Sequence, residues 1–310
     1  MKRSLFLAFA IILFATSLWA GALGTSTQTV IPAAVQQIIS VDYRQVENSP
    51  IATELHDRVL PDDLKQFEAA LRGIGIDPQR DIDRLTFASF RDKGQLRFVG
   101  IAEGNFALKP IIAKLRAKKI RPGKFEDALF YPMGNSYDMT LLDNSTMLFG
   151  DVSALKAAIR ARDGEAPSLT SNTDVTNIMP GVENGAVWSV LDAAGTQTMM
   201  HSALGDAARL ADYDTIKQRM LGSRYSMDFT RGVNFNLDVI TSDSLTASTL
   251  SALIKAGMMY KKMQATGPEK VALDSMGVNS DGDQLKLHFK TEDKEFESLL
   301  NSAMFAAVSR

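Results

Sequence analysis

The chain has 310 residues, 45% of them hydrophobic and 23% charged, with a formal net charge of -2. This is ordinary globular composition, long enough for two cores, and its near-neutral balance selects neither nucleic acid nor any other strongly ionic partner. The absence of cysteine rules out a thiol nucleophile, a thiolate metal site, disulfides and a lipid-modified N-terminal cysteine.

The N-terminus is expected to be an address. Lys2 and Arg3 precede an apolar run from Leu5 to Ala15 that continues through Leu18 and Trp19 to Ala20-Gly21-Ala22. A short basic region, an apolar segment and small residues spaced A-x-A make a secretory signal cut after Ala22, so the mature chain is expected to be periplasmic or secreted. The alternative is an uncleaved anchor, because Leu5 to Leu23 approaches the roughly 20 residues that cross a bilayer. Cleavage would take the net charge from -2 to -4, since residues 1–22 hold two bases and no acid.

Residues 23–33 read as a polar spacer, and Val35 to Tyr43 as a strand rich in β-branched residues. Asn48-Ser49-Pro50 offers a helix entry, after which Ile51, Leu55, Val59 and then Leu64, Phe67, Leu71 recur at helical spacing, broken at Leu60-Pro61 and stopped at Gly73 and Gly75. Leu85 to Arg91 and Leu96 to Glu103 make a hairpin about Lys93-Gly94. Phe106 to Lys119 reads as a helix and Lys124 to Tyr131 as a strand. Two further strand-like runs, turned at Asp143-Asn144, end at Phe149-Gly150-Asp151 and launch a helix from Val152 to Arg162.

Residues 164–185 are rich in Gly, Pro, Ser, Thr and Asn and read as a linker. Beyond it the order repeats: strand 186–192, helix 196–221, strands 224–231 and 233–241, helix 244–263, a hairpin about Asp281-Gly282, and a closing helix that carries Phe296 and Leu300. The expected class is α+β: two similar split α/β units, residues 34–163 and 186–310, each a mainly antiparallel sheet with helices packed on one face. The segment Gly73-Ile74-Gly75-Ile76-Asp77-Pro78, followed by Asp81-Ile82-Asp83 and the strand to Phe90, resembles a pattern in exported bacterial proteins of unknown function with duplicated α+β units. Gly150-Asp151 and its helix with Leu155 and Ile159 resemble the same pattern. That resemblance implies an architecture and no catalytic residues.

Few residues suggest chemistry. His56, His201 and His288 are the three imidazoles, none at metal-ligand spacing from another, and each is expected on the surface. The acid pairs Asp81/Asp83, Asp212/Asp214 and Asp281/Asp283 are of a kind that can bind calcium or do acid/base work, but the most suggestive, within Asn279 to Asp283, lacks the glycine and glutamate positions of a calcium loop and reads as a hairpin turn. Methionine doublets at Met199-Met200 and Met258-Met259 read as packing, or as a homodimer surface, rather than a copper site. No catalytic residue, metal site or cofactor is assigned. The densest charge feature is the basic run Lys118, Lys119, Arg121 and Lys124, the candidate contact for an anionic envelope polymer, a lipid surface or another envelope protein; nucleic acid is not expected. The function expected is therefore a non-enzymatic exported binding or scaffolding protein, the alternative being a carboxylate-dependent hydrolase with its site between the two domains.

Overall fold

A computed structural model describes residues 23–47, 49–134, 137–204 and 213–301. The leader expected over 1–22 and Asp212 lie outside the described residues. Helix α1 (Thr25–Val30) precedes strand β1 (Val35–Asp42), and helices α2 (Tyr43–Val46), α3 (Pro50–Val59), α4 (Asp62–Ile74) and α5 (Pro78–Asp81) follow. Next come β2 (Ile82–Asp92), β3 (Gln95–Gly104), α6 (Leu108–Ala117), β4 (Gly123–Phe125), β5 (Ala128–Pro132), β6 (Asp138–Leu141), β7 (Thr146–Gly150) and α7 (Val152–Arg162). A 3-10 turn (Leu169–Ser171) and α8 (Thr173–Thr176) lead to β8 (Val187–Asp192), α9 (Ala193–Leu204), α10 (Tyr213–Lys217), β9 (Met220–Asp228) and β10 (Val233–Thr241). Helices α11 (Ser244–Gln264) and α12 (Gly267–Asp274), strands β11 (Met276–Asp281) and β12 (Gln284–Thr291), and α13 (Asp293–Leu300) complete the order.

Local chemistry sets these boundaries. Lys93 and Gly94 both take positive φ, 49° and 80°, the two-residue turn whose twist matches the flanking strands. Ser49 accepts from the Ala52 N–H at 3.2 Å to cap α3, and Pro50 occupies its first turn. Pro61 then holds Leu60 extended, which separates α3 from α4. Gly75, at φ 93°, ends α4 while the Ile76 N–H returns to the Leu71 carbonyl at 3.0 Å. Asp151 accepts from Ser153 and Ala154 at 2.8 and 2.9 Å and so starts α7.

The protein is α+β, built on one twelve-stranded antiparallel sheet with the order β11-β12-β10-β9-β8-β1-β2-β3-β7-β6-β5-β4. Outward from the central pair the strands run β1-β2-β3-β7-β6 on one side and β8-β9-β10-β12-β11 on the other, so both halves use one strand order. They do not form two separate sheets, because β1 pairs with β8 from Gln37 opposite Leu191 to Val41 opposite Val187.

Two connecting segments differ from expectation. The spacer carries α1, and Leu23, Val30 and Ile31 enter the main core. The linker packs against it: the Ala33 N–H donates to the Pro167 carbonyl, the Leu169 N–H donates to that of Ile31, and Leu169, Val175, Ile178 and Met179 join the same core. A polar composition misled here because the few apolar residues are spaced to share one face. Residues 124–131, expected as one strand, form the β4–β5 hairpin turned at Glu126, whose φ is 54°. Of the long helix expected over 196–221, the described residues fall in α9 and α10, and Met220 already belongs to β9.

Helix placement follows the alternation of the strands. Ala88, Phe90, Val99, Ile101, Leu148, Trp188 and Val190 point to one face, where α7 and the spacer and linker segments cover them. The opposite face carries two cores. In the first half α4 and α6 bring Phe67, Leu71, Ile111 and Leu115 onto Leu85, Met147 and Phe149; in the second half α9 and α11 bring Met200, Leu250 and Leu253 onto Val239, Val278 and Leu285. Gly100 is required in the first of these, since the Phe149 ring occupies the place its Cβ would take. Helices thus lie on both faces of the first half, with α7 behind and α4 and α6 in front.

Candidate ligand cavity

On the front face α2 and α3 lie over the central strands, between the first-half helices α4 and α6 and the second-half helices α9 and α11. Beneath this roof lies a cavity of about 1120 Å³. Its floor is the front face of the sheet: Ile39 and Val41 from β1, Leu85 and Phe87 from β2, Phe98 from β3, Val187 from β8, and Tyr225 and Met227 from β9. These alternate along the strands with Ile38, Ala88, Trp188 and Val190, which are buried on the other side.

Side-chain packing flanks the cavity at each end. Phe87 stacks on Phe98 at 5.4 Å and meets Phe149 edge-on at 6.0 Å, and Phe149 stacks on Phe67 of α4 at 4.6 Å. At the other end Leu55 of α3, Met227 and Phe229 pack on the cluster of Ile51, Val233, Phe296 and Leu300. Arg58 fixes α3 there as well, donating to the Leu300 carbonyl at 2.8 Å and to Asn301 Oδ1 at 2.7 Å.

The roof is where charge collects. Glu68 of α4, with only 17% of its side chain exposed, faces His56 Nε2 at 3.3 Å and Arg72 at 3.7 Å, and Tyr43 of α2 hydrogen-bonds to it. The bond to Glu68 raises the His56 pKa above its ordinary value, with Asp57, 3.1 Å from Nδ1, adding to the effect against the cost of burial. Burial, then the Glu68 charge, pushes the Tyr43 phenol up, so it stays a neutral donor. On the floor, burial likewise raises the Tyr225 phenol, which bonds to Ser189, and Gln37 reaches Ser189 at 3.5 Å. Chemically the arrangement is an apolar chamber with a polar roof, suited to holding a molecule.

His56 was expected on the surface and is instead half-buried in this roof; the missed signal was its spacing from Glu68 across the Leu60-Pro61 break. His288 and His201 are exposed, as expected. The basic run lies elsewhere. Lys118 caps the C-terminus of α6, Lys119 turns the chain at φ 59°, and Lys118, Lys119, Arg121 and Lys124 are all exposed, none of them lining the cavity. The acid pairs serve structure: Asp81 accepts from the Asp77 N–H at 2.8 Å and pairs with Arg80, Asp83 pairs with Arg44, and Asp281 pairs with Lys286 across its hairpin. Met200 is core, Met199 and Met258 pack beside it, and Met259 and Met263 are exposed.

Among the described residues no group of three His, Cys, Asp or Glu side chains could hold a metal ion, and no helix is long and apolar enough to cross a membrane. No protein-family model matches the chain, and no curated protein matches it. It is similar to solved structures of TP0453. Crystal form III is 11% identical with a TM-score of 0.48, covering 88% of this chain and 96% of that one. Crystal form I is 10% identical with a TM-score of 0.45, covering 88% and 95%. Crystal form IV is 10% identical with a TM-score of 0.45, covering 89% and 96%.

Proposed function

We propose that this is an exported binding protein whose ligand is a molecule with a long apolar body, held in the cavity between the sheet and the α3–α4 roof. One observation carries the proposal: a chamber of about 1120 Å³ with an apolar floor across the middle of the fold. An alkyl chain laid on that floor gains about 0.8 kcal/mol for each methylene removed from solvent. The leader features of residues 2–22 support a site of action outside the cytoplasm, where apolar molecules need a carrier between surfaces. The repeated strand order supports reading 34–163 and 186–310 as two copies of one unit that share the cavity floor.

The test uses protein recovered from the exported fraction. Solvent extraction followed by mass spectrometry is expected to release an amphiphile in near-stoichiometric amount. Nile red, a neutral apolar dye, is expected to bind the stripped protein, and Val187→Trp, which takes up part of the floor, to weaken that binding with the melting temperature nearly unchanged. Dye binding unchanged by Val187→Trp would move the site away from the cavity.

A further inference from the structure

At the edge of the back core, acids outnumber cations around Leu23, the first of the described residues. Leu23 is 4% exposed and packs in the main core with Val30 and Ile31, and its carbonyl accepts from Gln28 Nε2 at 2.9 Å. Its backbone N–H bonds to the carboxylate of Glu183, which stands half-buried in the turn between α8 and β8. A second acid, Glu103 of β3, comes within 3.0 Å of the place a Cβ on Gly24 would take. Arg84, opposite Glu103 on β2, is the cation that acts on both acids, and it is ion-paired with Glu103 at 3.8 Å. Glu183 makes no ion pair among the described residues. Burial holds its pKa above the ordinary carboxylate value, with the Leu23 N–H and then the Arg84 charge opposing. A half-buried acid thus faces a backbone nitrogen and has no cation of its own.

We infer that Leu23 is the N-terminal residue of the working protein and that Glu183 is the receptor for its α-ammonium, so that removal of the leader completes this corner of the fold. Hydrolysis of the Ala22–Leu23 amide takes up one water, leaves a carboxylate on Ala22 and a protonated amine on Leu23. The nitrogen that donated one N–H to Glu183 then carries a positive charge and three donors, and the bond becomes charge-assisted. A cut further along the chain would take Leu23 out of the core, and a cut further upstream would leave its nitrogen an uncharged amide. The small residues Ala20-Gly21-Ala22 direct the cut to the one bond that yields a cation at Glu183. The site rests on the leader being cut and is independent of the cavity and of what it holds.

Protein recovered from the exported fraction is sequenced from its N-terminus and then acylated near neutral pH with limiting acetic anhydride, the N-terminal peptide being quantified by mass spectrometry. The sequence is expected to begin at Leu23. Acylation of its α-amine should be at least about tenfold slower in the parent than in Glu183→Gln, because an ammonium held by a carboxylate gives up its proton about one pH unit higher. A melting curve checks the fold of that variant. A second arm keeps Glu183 and leaves one extra alanine ahead of Leu23, on a chain freed from a tag by a site-specific protease. The extra residue moves the amine away by up to about 3.6 Å, which should restore fast acylation and lower the melting temperature by at least about 2 °C. Nile red should bind every form alike. A mature chain that begins elsewhere overturns the assignment, as does an α-amine acylated equally fast in the parent, in Glu183→Gln and in the extended chain; either result leaves the cavity standing.

Discussion

The two faces of the sheet at its centre are made by the same strands and end differently. On the back, Ile38, Trp188 and Val190 are 0%, 1% and 0% exposed beneath α1, α7 and the 164–185 segment. On the front their neighbours Ile39, Val41 and Val187 are equally apolar but line a chamber. Side-chain character alone does not separate a packed core from a cavity lining; what packs over it does. The back is buried under packed segments, and the front borders the cavity between the sheet and α3–α4.

That contrast can be tested from its strongest contact downward. Trp188→Ala removes the largest side chain of the closed face and should destabilise by about 3–5 kcal/mol in denaturant unfolding. Ile38→Ala and Ile39→Ala form the sharpest comparison, since the two residues are adjacent. The first should cost about 2–5 kcal/mol and the second less than about 1 kcal/mol, while only the second changes Nile red affinity. Equal costs would mean that both faces are packed alike. Asp151→Ala takes the cap from α7, which covers the back, and should cost about 1 kcal/mol without altering dye binding.

The roof gives a smaller, pH-dependent effect. Because the folded-state pKa of His56 is raised, chiefly by Glu68, its contribution is fully present below the unfolded value of about 6.5 and is lost as pH rises through the higher folded value. With the ring partly exposed the contribution should be roughly 0.2–1 kcal/mol. Unfolding from about pH 5 to about pH 9 should show this loss in the parent and a flatter profile in His56→Gln. The smallest effect is expected from replacing Lys118, Lys119, Arg121 and Lys124 together by Ser: unchanged stability and unchanged dye binding. Loss of salt-sensitive binding to anionic vesicles in that variant would make the basic run a second contact surface.

Much of the fold was legible in the sequence. Period-two runs bounded by Lys93-Gly94, Asp143-Asn144 and Asp281-Gly282 marked hairpins, and the Leu60-Pro61 break, the Gly75 stop and the Asp151 cap marked helix ends, because each rests on local backbone chemistry. The short helices α2 and α5 were not legible, being single turns set by Asp42 and Asp77 caps. Residues 164–185 hid their packing because five apolar side chains among many polar ones suffice to cover a strand. The cavity was illegible for a different reason. Ile38 and Ile39 are the same residue on the same strand, and nothing near them in sequence records that α3 stands off on one side while the 164–185 segment closes down on the other.

Helix α3 has a mechanical consequence. It is tied by Arg58 and Ile51 to α13, while α4, across the Leu60-Pro61 joint, is rooted in the first-half core by Phe67 and Leu71. The chamber's cover is thus a beam with its two supports on different halves of the molecule, and a pull on α13 is transmitted through the Arg58 bonds to the covering helix.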